Sequence, residues 1–99
     1  MRKTVEIEYV GIEDIQDIMD DVYALMLAGH YVNVSFYNAC KPFCSIYIMT
    51  GGFEPKKEYD YRFGFYMTDE ESEVAEMNKC RSVINNLLAE VEWNEIVRN

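Results

Sequence analysis

Tyr31-Val32-Asn33-Val34-Ser35-Phe36-Tyr37 and Phe43-Cys44-Ser45-Ile46-Tyr47-Ile48-Met49 decide the fold. Both runs alternate with period two, the mark of a strand with one face buried. Val32, Val34 and Phe36 share one face of the first; Cys44, Ile46 and Ile48 share one face of the second. Asn38-Ala39-Cys40-Lys41-Pro42 joins them. A third alternating run, Tyr59 to Met67, follows the turn Thr50-Gly51-Gly52 and the loop around Pro55-Lys56-Lys57. Tyr59, Tyr61, Phe63, Phe65 and Met67 share its apolar face. Connections this short predict an antiparallel meander.

Outward from this centre the period changes. On the N-terminal side, Ile12, Ile15, Met19, Val22 and Met26 recur at helical spacing, with Ile18 and Leu25 flanking and Gly29 as the C-cap. This predicts a helix over residues 12–28. Before it, Val5-Glu6-Ile7-Glu8-Tyr9-Val10 alternates as a further strand. A strand that reaches its neighbour through a helix suits parallel pairing by a right-handed crossover. On the C-terminal side, Thr68 and Glu71 form a capping box, and Asp69 and Glu70 sit at the positive end of the helix dipole. Val74, Met77, Cys80, Ile84, Leu87, Leu88 and Val91 make the buried stripe of a second helix, expected from Asp69 to about Ile96. Such a helix is about 42 Å long, against about 27 Å for an eight-residue strand, so it overhangs the sheet or breaks. Past Val91, Trp93 points away from the stripe, and with Val97 it is a candidate partner contact.

The expected fold is α+β, order β-α-β-β-β-α: a two-layer sandwich of a four-stranded, mostly antiparallel sheet with both helices on one face. Residues 1–99 are expected to be a single domain, since 99 residues and 11.6 kDa suffice for one core. With 49% hydrophobic and 27% charged residues the composition is that of a globular protein. No apolar run approaches a membrane span. Glu6 and Glu8 interrupt the start of the chain where a secretory signal is apolar. Cys40, Cys44 and Cys80, an odd number, read as free thiols in a reducing cytoplasm.

The net charge of −9 excludes the phosphate-neutralising mode of nucleic-acid binding and disfavours an anionic membrane surface. It suits a basic protein surface. The charge is unevenly placed. Residues 11–29 hold Glu13, Asp14, Asp17, Asp20 and Asp21 and no base, and residues 68–99 hold eight acids against three bases. The strands are nearly neutral. Glu13, Asp17, Asp20 and Asp21 fall on one stripe of the first helix, opposite its apolar face. Solvated helices usually interleave lysine, because like charges at i,i+4 repel. The stripe is therefore a candidate partner-binding face.

The other candidate is the sheet face turned away from the helices. It presents Tyr31, Asn33, Ser35 and Tyr37, then Phe43, Ser45, Tyr47 and Met49, then Asp60, Arg62, Gly64 and Tyr66. Tyrosine and methionine are enriched at interfaces, so Tyr31, Tyr37, Phe43, Tyr47, Met49 and Tyr66 are candidate dimer or partner contacts. The bland alternative is rings that pack on one another across strands.

Little in the spacing supports catalysis, a metal or a cofactor. Cys40 and Cys44 are too few for zinc, and His30 is the only histidine. It has no orienting partner in the sequence that would make it a catalytic base. Asp17, Asp20 and Asp21 lie on one helix, whereas magnesium sites draw ligands from several elements. Gly51-Gly52 lacks the lysine and helix of a phosphate loop.

Two resemblances follow. The α-β-β-β-α part resembles the element order of double-stranded RNA-binding domains. Those domains use bases at the start of the last helix, where this chain has Asp69, Glu70 and Glu71. In size, charge and unmixed acid stripe the chain is similar to small phage-type inhibitors, including anti-CRISPR and restriction-inhibiting proteins. That resemblance implies a non-enzymatic inhibitor whose carboxylates stand in for phosphates on a nucleic-acid-processing enzyme. The alternative expectation is an intracellular dimerisation or adaptor domain acting through the tyrosine-rich sheet face, a possible homodimer.

Overall fold

The computed structural model describes residues 12–98, with the side chains of residues 13–38 and 40–90. The strand expected at Val5–Val10 lies outside these residues. Its neighbours are α1, Ile12–Leu27, then β1, Tyr31–Ala39, β2, Lys41–Met49, β3, Tyr61–Tyr66, and α2, Glu71–Arg98. Among the described residues the sheet is three-stranded and antiparallel, in the order β1-β2-β3. The protein is thus α+β, with two helices among the described residues.

Register follows the alternation. Val34 pairs with Ile46 and Ile46 with Phe63, so the aliphatic and phenylalanine positions align on one face. On that face Val32, Cys44, Ile46, Ile48, Phe63 and Phe65 are buried against Ile18, Val22 and Leu25 of α1 and Met77, Cys80, Ile84 and Leu87 of α2. Burial of this size is the main term holding the layers together, at about 25 cal/mol per Å² of apolar area. α1 packs on β1 and on α2, and α2 packs on β3.

The ends of α1 follow local chemistry. Gly29 has φ +99°, and the His30 N–H donates to the Leu25 carbonyl at 3.1 Å while the Gly29 N–H donates to Met26 at 3.1 Å. This is the Schellman arrangement, which needs a residue that tolerates positive φ. The buried stripe of α1 is rotated from the expected one. Ile15, Ile18, Val22 and Leu25 face the core, whereas Met19 and Met26 are more than 40% exposed. The apolar arc is wider than one stripe, and α2 fixes which part of it faces inward.

The start of α2 also differs. The helix begins at Glu71, and the Val74 N–H donates to the Glu70 carbonyl, which makes Glu70 the N-cap. Buried Thr68 accepts from the Glu70 N–H at 3.4 Å, and Glu73 accepts from the Tyr66 N–H at 2.7 Å. The expected reciprocal pair of Thr68 and Glu71 is therefore displaced. Glu73 takes an amide at the end of β3 instead, because Met67 and Thr68 still belong to the β3–α2 corner. α2 runs its 28 residues without a break, about 42 Å, and so outruns the nine-residue strands. Trp93 and Val97 lie beyond the described side chains.

Candidate functional surfaces

The acidic surface is built on α1. Glu13, Asp17 and Asp20 are exposed and Asp21 is half-buried. The stripe is less bare than its sequence. Arg81 of α2 reaches across to Asp14 at 3.5 Å and Asp17 at 3.6 Å. Two carboxylates thus share one guanidinium, an arrangement invisible along a single helix. Among the described residues no ion pair involves Glu13, Asp20 or Asp21, so the outward part of the stripe stays negative. On α2, Glu70 pairs with Lys41 at 3.3 Å and Glu76 with Lys79 at 3.8 Å.

The aromatic surface is the other side of the sheet, and register lays it out in rows. Tyr37, Phe43 and Tyr66 form one row at the β1–β2 hairpin end; Ser35, Ser45 and Gly64 form the next; Asn33, Tyr47 and Arg62 the third; Tyr31 and Met49 the last. The rings pack on one another. Phe43 lies 5.5 Å from Tyr37 and 4.9 Å from Tyr66, centroid to centroid. Its ring leans over Gly64, where an added Cβ would sit 2.9 Å from Phe43 Cζ, so glycine is what lets the ring lie flat. Lys41 stands 5.0 Å over Tyr66.

At the far end the loop between β2 and β3 folds back over the face. Phe53 meets Tyr31 at 5.0 Å, and Tyr59 packs on Tyr47 at 5.2 Å and on Tyr31 at 6.3 Å. Arg62 lies 5.9 Å from both the Tyr47 and Tyr59 rings. Two expectations change here. Met49, expected as an exposed contact, is 2% exposed; the loop covers it, and its sulfur accepts from the Glu54 N–H at 3.1 Å. Tyr59, expected on the helix-facing side, joins the aromatic side instead. The strand starts at Tyr61, so the bend at Asp60 breaks the phase of the alternation. Nothing in the pattern marks this, since Tyr59-Asp60-Tyr61 alternates as well as any strand. Tyr37 remains 52% exposed, while Tyr31, Phe43, Tyr47 and Tyr66 are half-buried.

The loop is pinned at both ends. Asp60 accepts from the Thr50 N–H at 2.7 Å and the Thr50 hydroxyl at 2.9 Å, with Lys57 at 3.7 Å. The Thr50 hydrogen bonds hold the Asp60 carboxyl below the usual carboxylate range. A lowered value stabilises the folded loop above the ordinary carboxylate pKa, and this is lost as pH falls through the lowered one. His30 Nδ1 accepts from the Gly51 N–H at 3.0 Å, which commits this nitrogen to tying two turns together.

Burial pushes the Cys44 thiol up to about 11 and the Cys80 thiol up to about 12. Both are protonated at neutral pH and so are poor nucleophiles. Cys40 is exposed at the hairpin tip, at φ +68°. Among the described residues no three metal-binding side chains converge, and no helix is long and apolar enough to cross a membrane. No protein-family model, curated protein or solved structure matches the chain.

Proposed function

We propose that the chain is a small, non-enzymatic, cytoplasmic protein-binding module. It docks the outward acids of α1 on a basic, nucleic-acid-binding surface of a partner enzyme, as phage anti-defence inhibitors do. One observation carries this. The helix has five acids and no base, and Arg81 engages only Asp14 and Asp17, which leaves exposed Glu13 and Asp20 and half-buried Asp21 without a cation among the described residues. Unpaired like charge on one face costs folding energy and attracts a surface of opposite sign. The module itself would bind neither nucleic acid nor membrane.

The test is capture from a bacterial lysate by the immobilised chain. A nucleic-acid-processing enzyme that is released by salt, competed by DNA or RNA, and missed by the Glu13→Lys/Asp20→Lys/Asp21→Lys variant supports the reading. Equal capture by that variant refutes it.

A second reading, dimerisation or adaptor binding through the sheet, is favoured by the Tyr37, Phe43 and Tyr66 row, which no described element covers at the hairpin end and in which Tyr37 is 52% exposed. Under it, Tyr37→Ser weakens association and the lysine variant does not. The finer fold reading, a fourth strand at Val5–Val10 in the order β-α-β-β-β-α, is likewise a proposal. It is supported by the seat of α1, which packs on β1 and leaves its other flank apolar.

A further inference from the structure

The apolar arc of α1 is broader than the core needs. Taking 100° per residue, Leu25, Ile18, Val22 and Ile15 occupy one sector, and Met26, Met19, Tyr23 and Leu27 continue it on the side away from α2. The second group is exposed, Tyr23 by 63%. The strand beneath tells the same story. Phe36 shares the helix-facing side of β1 with buried Val32 yet is 58% exposed. Between helix and strand lies an apolar cavity of about 330 Å³, lined by Ile15, Ile18, Met19, Val34, Phe36 and Cys44. Beside it runs the edge of β1 that does not pair with β2 and that has no strand partner among the described residues, so its row of backbone N–H and C=O groups is available to a further strand.

We propose that this groove receives the chain's own Val5–Val10 as a strand parallel to β1, with Val5, Ile7 and Tyr9 turned into it and Glu6 and Glu8 turned to solvent. The inference rests on the four-stranded reading and specifies which side chains fill which site. Three observations select this occupant. The cavity lies at the start of α1, one turn from Ile12, so the preceding residues enter it with minimal loop closure. The connection reverses direction through α1, which gives parallel pairing with β1. The alternation offers three apolar side chains on one face, matching the apolar lining of the groove, and two carboxylates on the other, which reach water on the side of the sheet away from α1. A second copy fits less well, because it brings another chain of charge −9 against the acids of α1.

Amide hydrogen exchange by NMR on the full chain tests this. The alternate amides of β1 that point away from β2 should exchange on the order of 100-fold more slowly than those of an open edge, at every protein concentration. Ile7→Asp should abolish that protection and Glu8→Ser should not. Open-edge rates in the unaltered chain overturn both the proposal and the four-stranded reading. Protection that grows with concentration assigns the groove to a second copy and overturns the proposal. Protection lost in Glu8→Ser but kept in Ile7→Asp leaves the fourth strand standing and overturns the assignment of its faces.

Discussion

On one flank of α1, Asp14 and Asp17 meet Arg81 of α2; on the other, Met19, Tyr23 and Met26 stand beside the edge of β1. One helical repeat produces both flanks, yet only the first is closed by a described element. The contrast teaches that amphipathic spacing reports how much of a helix avoids water, not what it packs against. An arc of about 200° is too wide for a helix lying on one strand, and such an arc calls for a neighbour on each side. Polar closure is weak and adjustable, since exposed ion pairs are worth about 0–1 kcal/mol. Apolar closure carries more energy for the same contact.

Breaking the floor common to both flanks should have the largest effect. Leu25→Ala, at a fully buried position, should cost about 2–5 kcal/mol in urea unfolding, since it removes the side chain beneath the whole helix. A loss under about 1 kcal/mol would mean that α1 does not seat as described.

Met19→Asp sharpens the contrast next. On a flank covered by Val5–Val10 it should cost about 1–3 kcal/mol, while the neighbouring Asp20→Met should change stability by less than about 0.5 kcal/mol. Equal small effects would show that the apolar flank is open to water. Gly29→Ala should cost about 1 kcal/mol in the same assay, because alanine resists φ +99° at the C-cap. It loosens the end of the helix without preferring a flank. The smallest effect is expected from Arg81→Ala, under about 1 kcal/mol at low salt and vanishing near 1 M salt, where the Debye length is about 3 Å. Persistence of its effect in high salt would mean that the guanidinium acts by packing.

Much of this was legible in the sequence. The strands around Ile46 and Phe63, the helix stripe from Met77 to Leu87 and the Gly29 cap appear where periodicity and cap chemistry place them, because each depends on local spacing. The misplacements are tertiary in origin. Arg81 sits 64 residues from Asp17, so no inspection of one helix could show that the acid stripe shares its charge. Met49 alternates like an exposed residue and is covered only because the loop from Thr50 to Asp60 returns over it, held by hydrogen bonds between residues ten apart. Tyr59 changes face at a bend that the alternation does not register. For the candidate surfaces, the sequence disclosed which residues share a face and the structure disclosed which of them are already occupied. Glu13 and Asp20 remain exposed and Asp21 half-buried, none of them in an ion pair among the described residues, whereas most of the tyrosines spend part of their surface on one another.

The most direct test of the proposed function is the association rate of the purified chain with any enzyme that the lysate capture yields, measured across ionic strength. Steering by the outward acids predicts fast association that falls steeply as salt rises. In the Glu13→Lys/Asp20→Lys/Asp21→Lys variant it should be slow and nearly independent of salt. An association rate that ignores salt in the unaltered chain, or that survives the three lysines unchanged, would contradict the account and move the binding surface to the aromatic side of the sheet.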